Sequence, residues 1–162
     1  MATQSFRAGV VMIVRREDGA VFVCERADAP GSWQLPQGGV DPGEQPIDAA
    51  WRELGEETGL TNEDVRLVSE LPDWIAYEWP TELRPATRKF GESVRGQVQK
   101  WFLFGVIPPA DGSDDGHAHH LAPRVDGREF RAWSWMDPHL LVDSVIDWRR
   151  DSYRRAFSRL LP

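Results

Sequence analysis

The sequence predicts a single mixed α/β domain with one hydrophobic core. The chain has 162 residues, which is the size of one ordinary domain. Apolar runs with strand character lie on either side of a segment with helical periodicity, and a second such segment ends the chain. The sequence contains no internal repeat and no linker long enough to divide it, so we expect residues 1–162 to form one domain.

The first predicted element is a β-hairpin. Apolar runs at 8–14 and 21–24 are separated by Asp18-Gly19, a pair typical of tight hairpin turns. Proline and glycine residues between positions 30 and 43 then predict a long loop. Cys24 is the only cysteine and lies in the second apolar run, so we expect a thiol packed in the core rather than a reactive one.

The clearest predicted element is a helix that begins near Gln45. Apolar or compact side chains recur at helical spacing along it, namely Ile47, Trp51, Leu54 and Thr58. Gly59 follows as a left-handed C-terminal cap. Strands are predicted at 65–71, 74–77, 97–107 and 130–135, and an exposed loop at 108–123. An amphipathic helix is predicted from Ser144 onward, with apolar positions Val145, Trp148, Tyr153, Phe157 and Leu160.

Composition and charge exclude several classes of protein. Hydrophobic content of 41% and charged content of 28% are those of a globular protein rather than a disordered one. No apolar run is long enough to span a membrane, and residues 1–7 lack an apolar signal core, so we expect a cytoplasmic protein with no membrane partner. The net charge of −7 argues against a general nucleic-acid binder, and we expect no DNA partner.

Two basic stretches stand out against the acidic total charge. The first contains Arg84, Arg88, Lys89, Arg95 and Lys100, and the second contains Arg149, Arg150, Arg154, Arg155 and Arg159. Runs of this kind are most often solvated faces. If an acidic catalytic centre lay between them, they would help to hold an anionic substrate.

Three glutamates in the predicted helix suggest metal chemistry. Glu53, Glu56 and Glu57 have relative spacing 0, 3 and 4, which places them within an arc of about 100°. They repel one another, and the last two lie at the negative end of the helix dipole. A solvated acidic face is the plain alternative, but a bound divalent cation accounts for the crowding. Oxygen ligands of this kind suit Mg²⁺ or Mn²⁺.

The residues around these glutamates form a longer motif. Between positions 38 and 60 the pattern Gx₅Ex₇REUxEExGU, with U an aliphatic residue, is matched by Gly38, Glu44, Arg52, Glu53, Leu54, Glu56, Glu57, Gly59 and Leu60. The chain therefore resembles the Nudix hydrolases. The resemblance implies a Nudix fold, a mixed β-sheet sandwiched between α-helices, and metal-dependent hydrolysis of a phosphoanhydride bond.

Each position of the motif has an expected role. Gly38 and Gly39 let the backbone approach a bound phosphate closely. Arg52 is placed to hold Glu44 and so to fix loop to helix, with Gly59 as the structural cap. The resemblance implies that Glu53, Glu56 and Glu57 hold two or more Mg²⁺ or Mn²⁺ ions, with Gly38 in the metal site, and that one of these glutamates acts as the base.

Beyond the motif, the chain resembles bacterial RNA pyrophosphohydrolases and asymmetrical diadenosine polyphosphate hydrolases. The shared segments are Phe6-Arg7, residues 32–39, Asp73-Trp74 with Tyr77, residues 96–102, Glu129-Phe130 with Trp133 and Trp135, and Arg149-Arg150-Asp151 with Tyr153. The resemblance implies that Glu129 completes the metal site. It places Arg7, Tyr77 and Lys100 at the polyphosphate, and Arg26, Ile146, Trp148 and Arg149 around a base. Trp148 could instead be a core anchor of the terminal helix.

Two departures from this branch bear on the substrate. Val98 stands where members that process RNA often carry lysine, which removes a possible phosphate contact. The loop containing His117, His119 and His120 could bind a transition metal, although a solvent-exposed loop is the simpler interpretation.

Several functions therefore remain open at this point. We expect either a 5′-triphosphorylated RNA end or diadenosine tetraphosphate as the substrate of a monomer or small homo-oligomer. The alternatives are hydrolysis of ADP-ribose or oxidised dNTPs and, in another class, a non-catalytic RNA- or protein-binding module.

Overall fold

The computed structural model describes residues 5–84, 94–113 and 116–162, which form one mixed sheet and three α-helices. The strands are β1 (Ser5–Arg15), β2 (Val21–Arg26), β3 (Trp33–Gln34), β4 (Gln37–Gly39), β5 (Val65–Glu70), β6 (Ile75–Glu78), β7 (Val94–Val106) and β8 (Phe130–Met136). The helices are α1 (Pro46–Thr58), α2 (Pro138–Ser144) and α3 (Arg150–Leu160), and a 3₁₀ turn at Asp147–Arg149 precedes α3.

The centre of the sheet is a long parallel pair. Strands β1 and β7 run side by side from the Ser5–Val94 pair to the Arg15–Gly105 pair. The sheet order is β3-β2-β1-β7-β5, with β4 paired to β1, β6 to β7 and β8 to β2. All pairs other than β1–β7 are antiparallel. The short β4 strand therefore lies against the middle of β1, opposite β7.

Alternation along the two central strands divides the core between the two faces of the sheet. On one face, Val10, Met12, Val14, Phe102 and Phe104 of the sheet pack with Ala49, Ala50 and Leu54 of α1. On the other, Val11, Ile13, Trp101 and Leu103 of the sheet pack with Leu141 of α2 and with Tyr153 and Phe157 of α3. Successive residues of a strand point to opposite faces, so continuous apolar runs are required here. The predicted arrangement of a mixed sheet between α-helices is confirmed.

The local signals in the first third of the chain are also confirmed. Gly19 turns the β1–β2 hairpin with a φ of 93°, and its N–H donates to the Arg16 carbonyl at 3.1 Å. Gly59 ends α1 in the left-handed conformation, with a φ of 73°. Cys24 is fully buried in β2, and burial raises the pKa of its thiol. The predicted core thiol is confirmed.

Two predictions for less regular segments are wrong in part. The region taken as one long loop contains β3 and β4, which are too short to give a periodic signal. The last helix begins at Arg150 rather than near Ser144, because Ser144 ends the separate helix α2. Asp137 caps α2 by accepting from the His139 N–H, and the extended backbone at Val145 breaks the helical path.

None of the helices among the described residues is both long and apolar enough to cross a membrane.

Candidate active site

Helix α1 presents its glutamates to β4 because its opposite side is anchored in the core. Ala49, Ala50 and Leu54 are fully buried against the sheet. Trp51 packs edge-on against Phe104, with 4.8 Å between ring centroids. This apolar face fixes the rotation of the helix, so the acidic side faces the Gln37–Gly39 strand.

Arg52 joins the loop after β4 to helix α1. Its Nε and Nη2 donate to the two carboxylate oxygens of Glu44 at 2.8 and 2.9 Å. These bonds are the main reason that the pKa of Glu44 falls to about 2, and the Asp41 backbone N–H adds a further hydrogen bond. The predicted contact between Arg52 and Glu44 is confirmed, and its two-pronged form constrains both distance and angle.

The same guanidinium also orients the side of the helix that carries the glutamates. Arg52 Nη2 donates to the Gly39 carbonyl and Nη1 donates to Glu53 Oε1, both at 2.8 Å. Arg52 Nη1 lies 3.5 Å from Glu56 Oε2. One arginine thus positions β4 and two of the three glutamates.

Glu57 is the most deeply placed of the three acids. The residue is 8% exposed, and its Oε2 accepts the Gln37 backbone N–H at 2.9 Å. Burial, followed by the nearby charge of Glu129, raises the pKa of Glu57 to about 9. No ion pair to Glu57 forms within residues 5–84, 94–113 and 116–162, so this buried carboxyl has no cationic side chain to balance it.

Glu53 and Glu56 differ in exposure although they share the helix face. The Glu53 side chain is 14% exposed, and burial raises its pKa while Arg52 opposes that rise. The Glu56 side chain is 60% exposed. Glu53 packs so closely on Gly38 that a Cβ at this glycine would lie 1.9 Å from the Glu53 carboxyl carbon. Glycine is therefore required at position 38 for the observed approach of β4 to the helix.

Glu129 reaches the same cluster from a different part of the chain. It is exposed and lies just before β8, where its backbone carbonyl accepts the Ala27 N–H at 2.9 Å and its own N–H donates to Asp126 at 3.1 Å. Its negative charge raises the pKa values of both Glu57 and Glu53. The structure thus brings Glu129 within electrostatic reach of the helix glutamates.

The acidic cluster has the donor chemistry that a hard divalent cation needs. Among the described residues, no three His, Cys, Asp or Glu side chains are already gathered as a metal-binding group. The donors nevertheless fit such an ion, because a desolvated Glu57 without a cationic partner lies beside two further carboxylates. A cation bound there would offset the free-energy cost of burying the negative charge of Glu57.

A second polar cluster lies on the face of the sheet that packs on α3. Arg149 is 8% exposed, its Nη1 donates to Gln34 Oε1 at 3.0 Å, and its guanidinium lies 5.5 Å from the Tyr77 ring centroid. With the Gln37 amide oxygen turned toward Arg149, it accepts from Nη1 and Nη2 at 3.1 and 3.2 Å. Arg149 Nε, Tyr77 Oη and Gln34 Nε2 are buried without a hydrogen-bond partner in the described structure. Such polar groups are typical of a ligand pocket.

The other residues expected around a base lie at the edge of this cluster. Arg26 binds Asp28 through Nε and Nη2 at 2.8 and 2.6 Å, and its Nη1 is 3.4 Å from Gln34 Oε1. Ile146 is half-buried and precedes the 3₁₀ turn. Trp148 is partly buried against the cluster of Tyr77, Trp79 and Val94 rather than in the main core. The structure therefore brings Arg26, Tyr77, Trp148 and Arg149 into one neighbourhood.

Lys100 is not part of that neighbourhood, and its predicted role at the polyphosphate stays a prediction. Its Nζ donates to the Pro72 carbonyl at 3.0 Å and lies 3.8 Å from Glu70 Oε2. On β7 it alternates with Gln99 and Trp101, so its side chain leaves the opposite face of the sheet. Arg7 does lie near the glycines of β4, since a Cβ at Gly39 would be 2.2 Å from its Nη2.

The basic stretches and the histidines contribute little else to the site. Arg84 and Arg95 both bind Glu78, and Arg159 binds Asp73. Arg88 and Lys89 lie outside the described residues. His120 contacts the Ile107 carbonyl, and His117 and His119 stack edge-on with 5.8 Å between centroids. The described part of this loop forms no metal-ligand group.

Sequence reasoning assigned no role to several buried glutamines that belong to this polar cluster. Gln34 is 2% exposed and shares its carbonyl oxygen between Arg149 and Arg26. Gln97 and Gln99 are also buried and hydrogen-bonded to each other at 3.0 Å. The available signal was polar residues within strongly apolar strands, which usually need a specific partner.

Comparison with known proteins agrees with this architecture. The NUDIX domain family matches residues 5–158. An RNA pyrophosphohydrolase of Cereibacter sphaeroides is 37% identical over 161 residues, covering 99% of this chain and 93% of the relative. Nudix hydrolase 25 of Arabidopsis thaliana is 36% identical over 152 residues, covering 93% and 83%.

Solved structures show the same fold at lower identity. The E. coli dihydroneopterin triphosphate pyrophosphohydrolase superposes with a TM-score of 0.72 at 21% identity, covering 97% of both chains. A C. elegans Ap4A hydrolase in a binary complex gives a TM-score of 0.65 at 21% identity, covering 96% of this chain and 97% of that one. From its sequence and its fold together, the chain belongs to the NUDIX domain family.

Proposed function

We propose that this Nudix hydrolase cleaves a phosphoanhydride bond in a nucleotide polyphosphate, with the 5′-triphosphate end of RNA as its substrate. The observation that carries the proposal is the buried Glu57 beside Glu53 and Glu129, next to the glycines of β4. Curated relatives named RNA pyrophosphohydrolase, at 36–38% identity over most of the chain, support this substrate.

The glutamates would hold the metal and move the proton. Nudix hydrolases use divalent metal ions, and we propose two or more Mg²⁺ or Mn²⁺ ions held by Glu53, Glu56, Glu57 and Glu129, with Gly38 beside them. When bound, such ions neutralise phosphate charge and lower the pKa of water. One of the glutamates takes the proton of the attacking water, and Arg52 keeps Glu53 oriented through its 2.8 Å bond.

The second cluster would recognise the rest of the substrate. Arg7, which lies near Gly39, would bind phosphate oxygens. Arg149 and Tyr77 would bind the nucleotide beyond the phosphates, because Arg149 Nε and Tyr77 Oη are buried and have capacity for further hydrogen bonds. Trp148 would stack on a base, with Ile146 and Arg26 at its edge.

Diadenosine tetraphosphate is a second candidate substrate. Val98 is the observation that favours it, since it lacks the positive charge that would grip a longer anionic chain. Both substrates require the same metal chemistry, so a direct comparison is needed to separate them.

The test is a comparison of kcat/KM across four substrates with Mg²⁺ and with Mn²⁺. We expect 5′-triphosphorylated RNA to be preferred over diadenosine tetraphosphate, ADP-ribose and an oxidised dNTP. Preference for diadenosine tetraphosphate would select the second candidate. Preference for ADP-ribose or an oxidised dNTP would reject both, and failure to turn over any of them would favour a non-catalytic binding module.

The catalytic assignment has a matched pair of variants. Glu57→Gln removes a charge at the centre of the cluster and should lower kcat/KM by more than about 100-fold, beyond the effect usual for residues outside a metal's direct ligands. Glu63→Gln makes the same chemical change at an exposed site after α1 and should leave kcat/KM unchanged. Near-normal turnover by Glu57→Gln at saturating Mg²⁺ would show the assignment to be wrong.

Further expectations are part of the same proposal. Residues 1–162 would act as one Nudix domain with its motif at 38–60, as a monomer or small homo-oligomer. A cytoplasmic location and the lack of a DNA or membrane partner stay predictions.

A further inference from the structure

A charged groove lies at the C-terminal end of β1, whereas β4 and the glutamate cluster lie against the middle of that strand. The sheet face that carries Ile13 and Leu103 in the core continues one pair further along β1 and β7 to Arg15 and Gly105. Gly105 also pairs with Arg66 on its other side. Cross-strand neighbours point to the same face, so two arginines flank a residue without a side chain.

The geometry of the three strands sets the width of the groove. Neighbouring strands are about 4.8 Å apart, so the Cα atoms of Arg15 and Arg66 are separated by about 10 Å. A Cβ at Gly105 would lie 3.2 Å from Val68 Cγ2, so Val68 lies over this glycine. Arg15 and Arg66 line the groove from the strands on either side. The groove has a volume of about 490 Å³, which is within the range of small-molecule sites.

The two flanking arginines are not committed to other side chains. Within the described residues neither Arg15 nor Arg66 forms an ion pair or a side-chain hydrogen bond. Arg16, which also lines the groove, is instead bound to Asp18 and to the His117 carbonyl. Glu17 is the acidic residue that lines the groove. Three arginines and one glutamate therefore give the lining a net positive charge, although the whole chain has a net charge of −7.

The remaining lining is apolar. Val68 and Pro108 are exposed at the groove, and Val68 is 50% exposed on strand β5. A ligand that fits this arrangement has an anionic group for the two arginines and a less polar body for the wall. Guanidinium groups bind phosphate oxygens through paired hydrogen bonds, and two of them match the charge of a phosphate dianion.

We propose that the groove between Arg15 and Arg66 binds a phosphate monoester of nucleotide size, at a site separate from the glutamate cluster. Gly38 pairs with Val10, and Val10 and Arg15 are five residues apart on one strand, or about 17 Å. The ligand would therefore bind without displacing a substrate from the Gly38–Glu57 region. This inference does not depend on which polyphosphate the enzyme hydrolyses.

The experiment is a ¹H–¹⁵N NMR titration of the full chain in EDTA with AMP, inorganic phosphate and acetate. AMP contains no phosphoanhydride bond, so it is not consumed. We expect AMP to shift the backbone amides of Gly105 and Val106 more than those of Gln37 and Gly38. Inorganic phosphate should shift the same amides with weaker affinity, because it makes no contact with Val68 and Pro108, and acetate should have little effect.

Arginine variants test whether AMP binds in this groove. Arg66→Gln changes an exposed edge residue and should weaken AMP binding about tenfold or more, as should Arg15→Gln. Arg124→Gln, at an exposed arginine outside the groove, should leave AMP affinity unchanged. Arg66→Gln should also keep wild-type kcat/KM on the triphosphorylated substrate, which separates this site from catalysis.

Three results would overturn the proposal. The first is no AMP-dependent shift at Gly105, and the second is binding that persists unchanged in Arg66→Gln. The third is an equal response to acetate, which would show a general anion effect. Equal affinity for AMP and inorganic phosphate would overturn the part of the proposal that assigns Val68 and Pro108 to the body of the ligand.

Discussion

Glu57 combines deep burial with neighbouring negative charge, and this sets how the metal-free protein responds to pH. Its pKa rises to about 9 in the fold, against an ordinary value of 4.5. As the pH rises from 4.5 to about 9, the unfolded state releases the Glu57 proton before the folded state does. The metal-free protein therefore loses stability with rising pH, and the contribution of Glu57 to stability is fully present only below pH 4.5.

The first prediction follows from this linkage. In EDTA, Glu57→Gln should have a higher melting temperature than the wild type at pH 8, and the difference should shrink as the pH falls toward 4.5. Differential scanning fluorimetry across this range measures the effect. Added Mg²⁺ should stabilise the wild type but not the variant. A pH-independent difference between the two proteins would contradict the proposed cause.

The second prediction concerns the close approach of β4 to the helix. Gly38→Ala should displace the Glu53 carboxyl, whose carbon would lie 1.9 Å from the new Cβ, and should lower kcat by about 100-fold. Gly55→Ala is the matched control, because its Cβ would meet only the Leu60 carbonyl at 3.9 Å. The control should keep activity and gain up to about 1 kcal/mol of stability from the better helix former. Similar losses in both variants would contradict the steric explanation.

Single-residue roles were predictable from the sequence where spacing alone decides them. The Glu44–Arg52 contact and the convergence of Glu53 with Glu57 depend on one helix and one adjacent loop. The face of the sheet from which the Lys100 side chain leaves was not predictable, because it depends on the register of β7. Its strand turns wholly apolar after position 100, so periodicity does not show which face its side chain leaves.

At the scale of elements, α3 is held to the loop before β4 by one buried hydrogen bond. The Leu35 backbone N–H donates to Tyr153 Oη at 3.0 Å, and burial raises the pKa of Tyr153 to about 12. The Tyr153 ring also packs edge-on against Trp101, with 5.2 Å between centroids. The hydroxyl therefore links the helix to the segment that carries Gln34 and Gln37.

The third prediction compares the two tyrosines of the chain. Tyr153→Phe keeps the ring but leaves the Leu35 N–H without a partner, so it should lower the free energy of unfolding by about 1–3 kcal/mol. Tyr77→Phe removes a buried hydroxyl that has no partner in the described structure, so it should cost almost no stability. Urea denaturation of both variants measures this difference. Equal losses would contradict the role given to the Tyr153 hydroxyl.

The fourth prediction concerns the clamp between α1 and its preceding loop. Arg52→Gln should lower kcat by about 10- to 100-fold, since it releases Glu53 from its orientation. It should also lower the melting temperature, and this loss should shrink as the pH falls from 4.5 toward 2, where Glu44 becomes protonated in the wild type. A carboxyl with a depressed pKa stabilises the folded state above pH 4.5, and this stabilisation is lost as the pH falls to the folded pKa of about 2. A loss that grows in acid would contradict it.

Elements with strong local signals were predictable, and short ones were not. Helix α1 shows helical periodicity and a glycine cap within one stretch of sequence. Strands β3 and β4 have two and three residues, which is below the length at which alternation can be recognised. Helix α2 has an Asp-Pro start, but the extended residue Val145 between it and α3 has no sequence signal.

For the whole molecule, the parallel β1–β7 pair brings the N-terminal strand beside a strand from the second half of the chain. Ser5 pairs with Val94 and Arg15 with Gly105, so partners are about 90 residues apart. Such a contact cannot be predicted from one sequence, because many strands offer the same apolar surface. The register of the β1–β7 pair nevertheless determines which side chains share a face of the sheet, and therefore which residues lie near Arg149 and Tyr77.

The fifth prediction is that this topology makes folding slow. Long-range parallel pairing should give refolding times on the order of milliseconds to seconds. Stopped-flow tryptophan fluorescence after dilution from urea measures the rate. Folding in microseconds would show that the central pair is not formed in the rate-limiting step.

The buried thiol of β2 has a practical consequence for all of these experiments. Cys24 is the only cysteine, is fully buried and has a raised pKa, so a thiol reagent should not modify the native chain. Modification requires β2 to separate from its neighbours in the centre of the sheet. The rate at which a chromogenic thiol reagent modifies Cys24 therefore measures how often the core opens, and no label needs to be engineered into the protein.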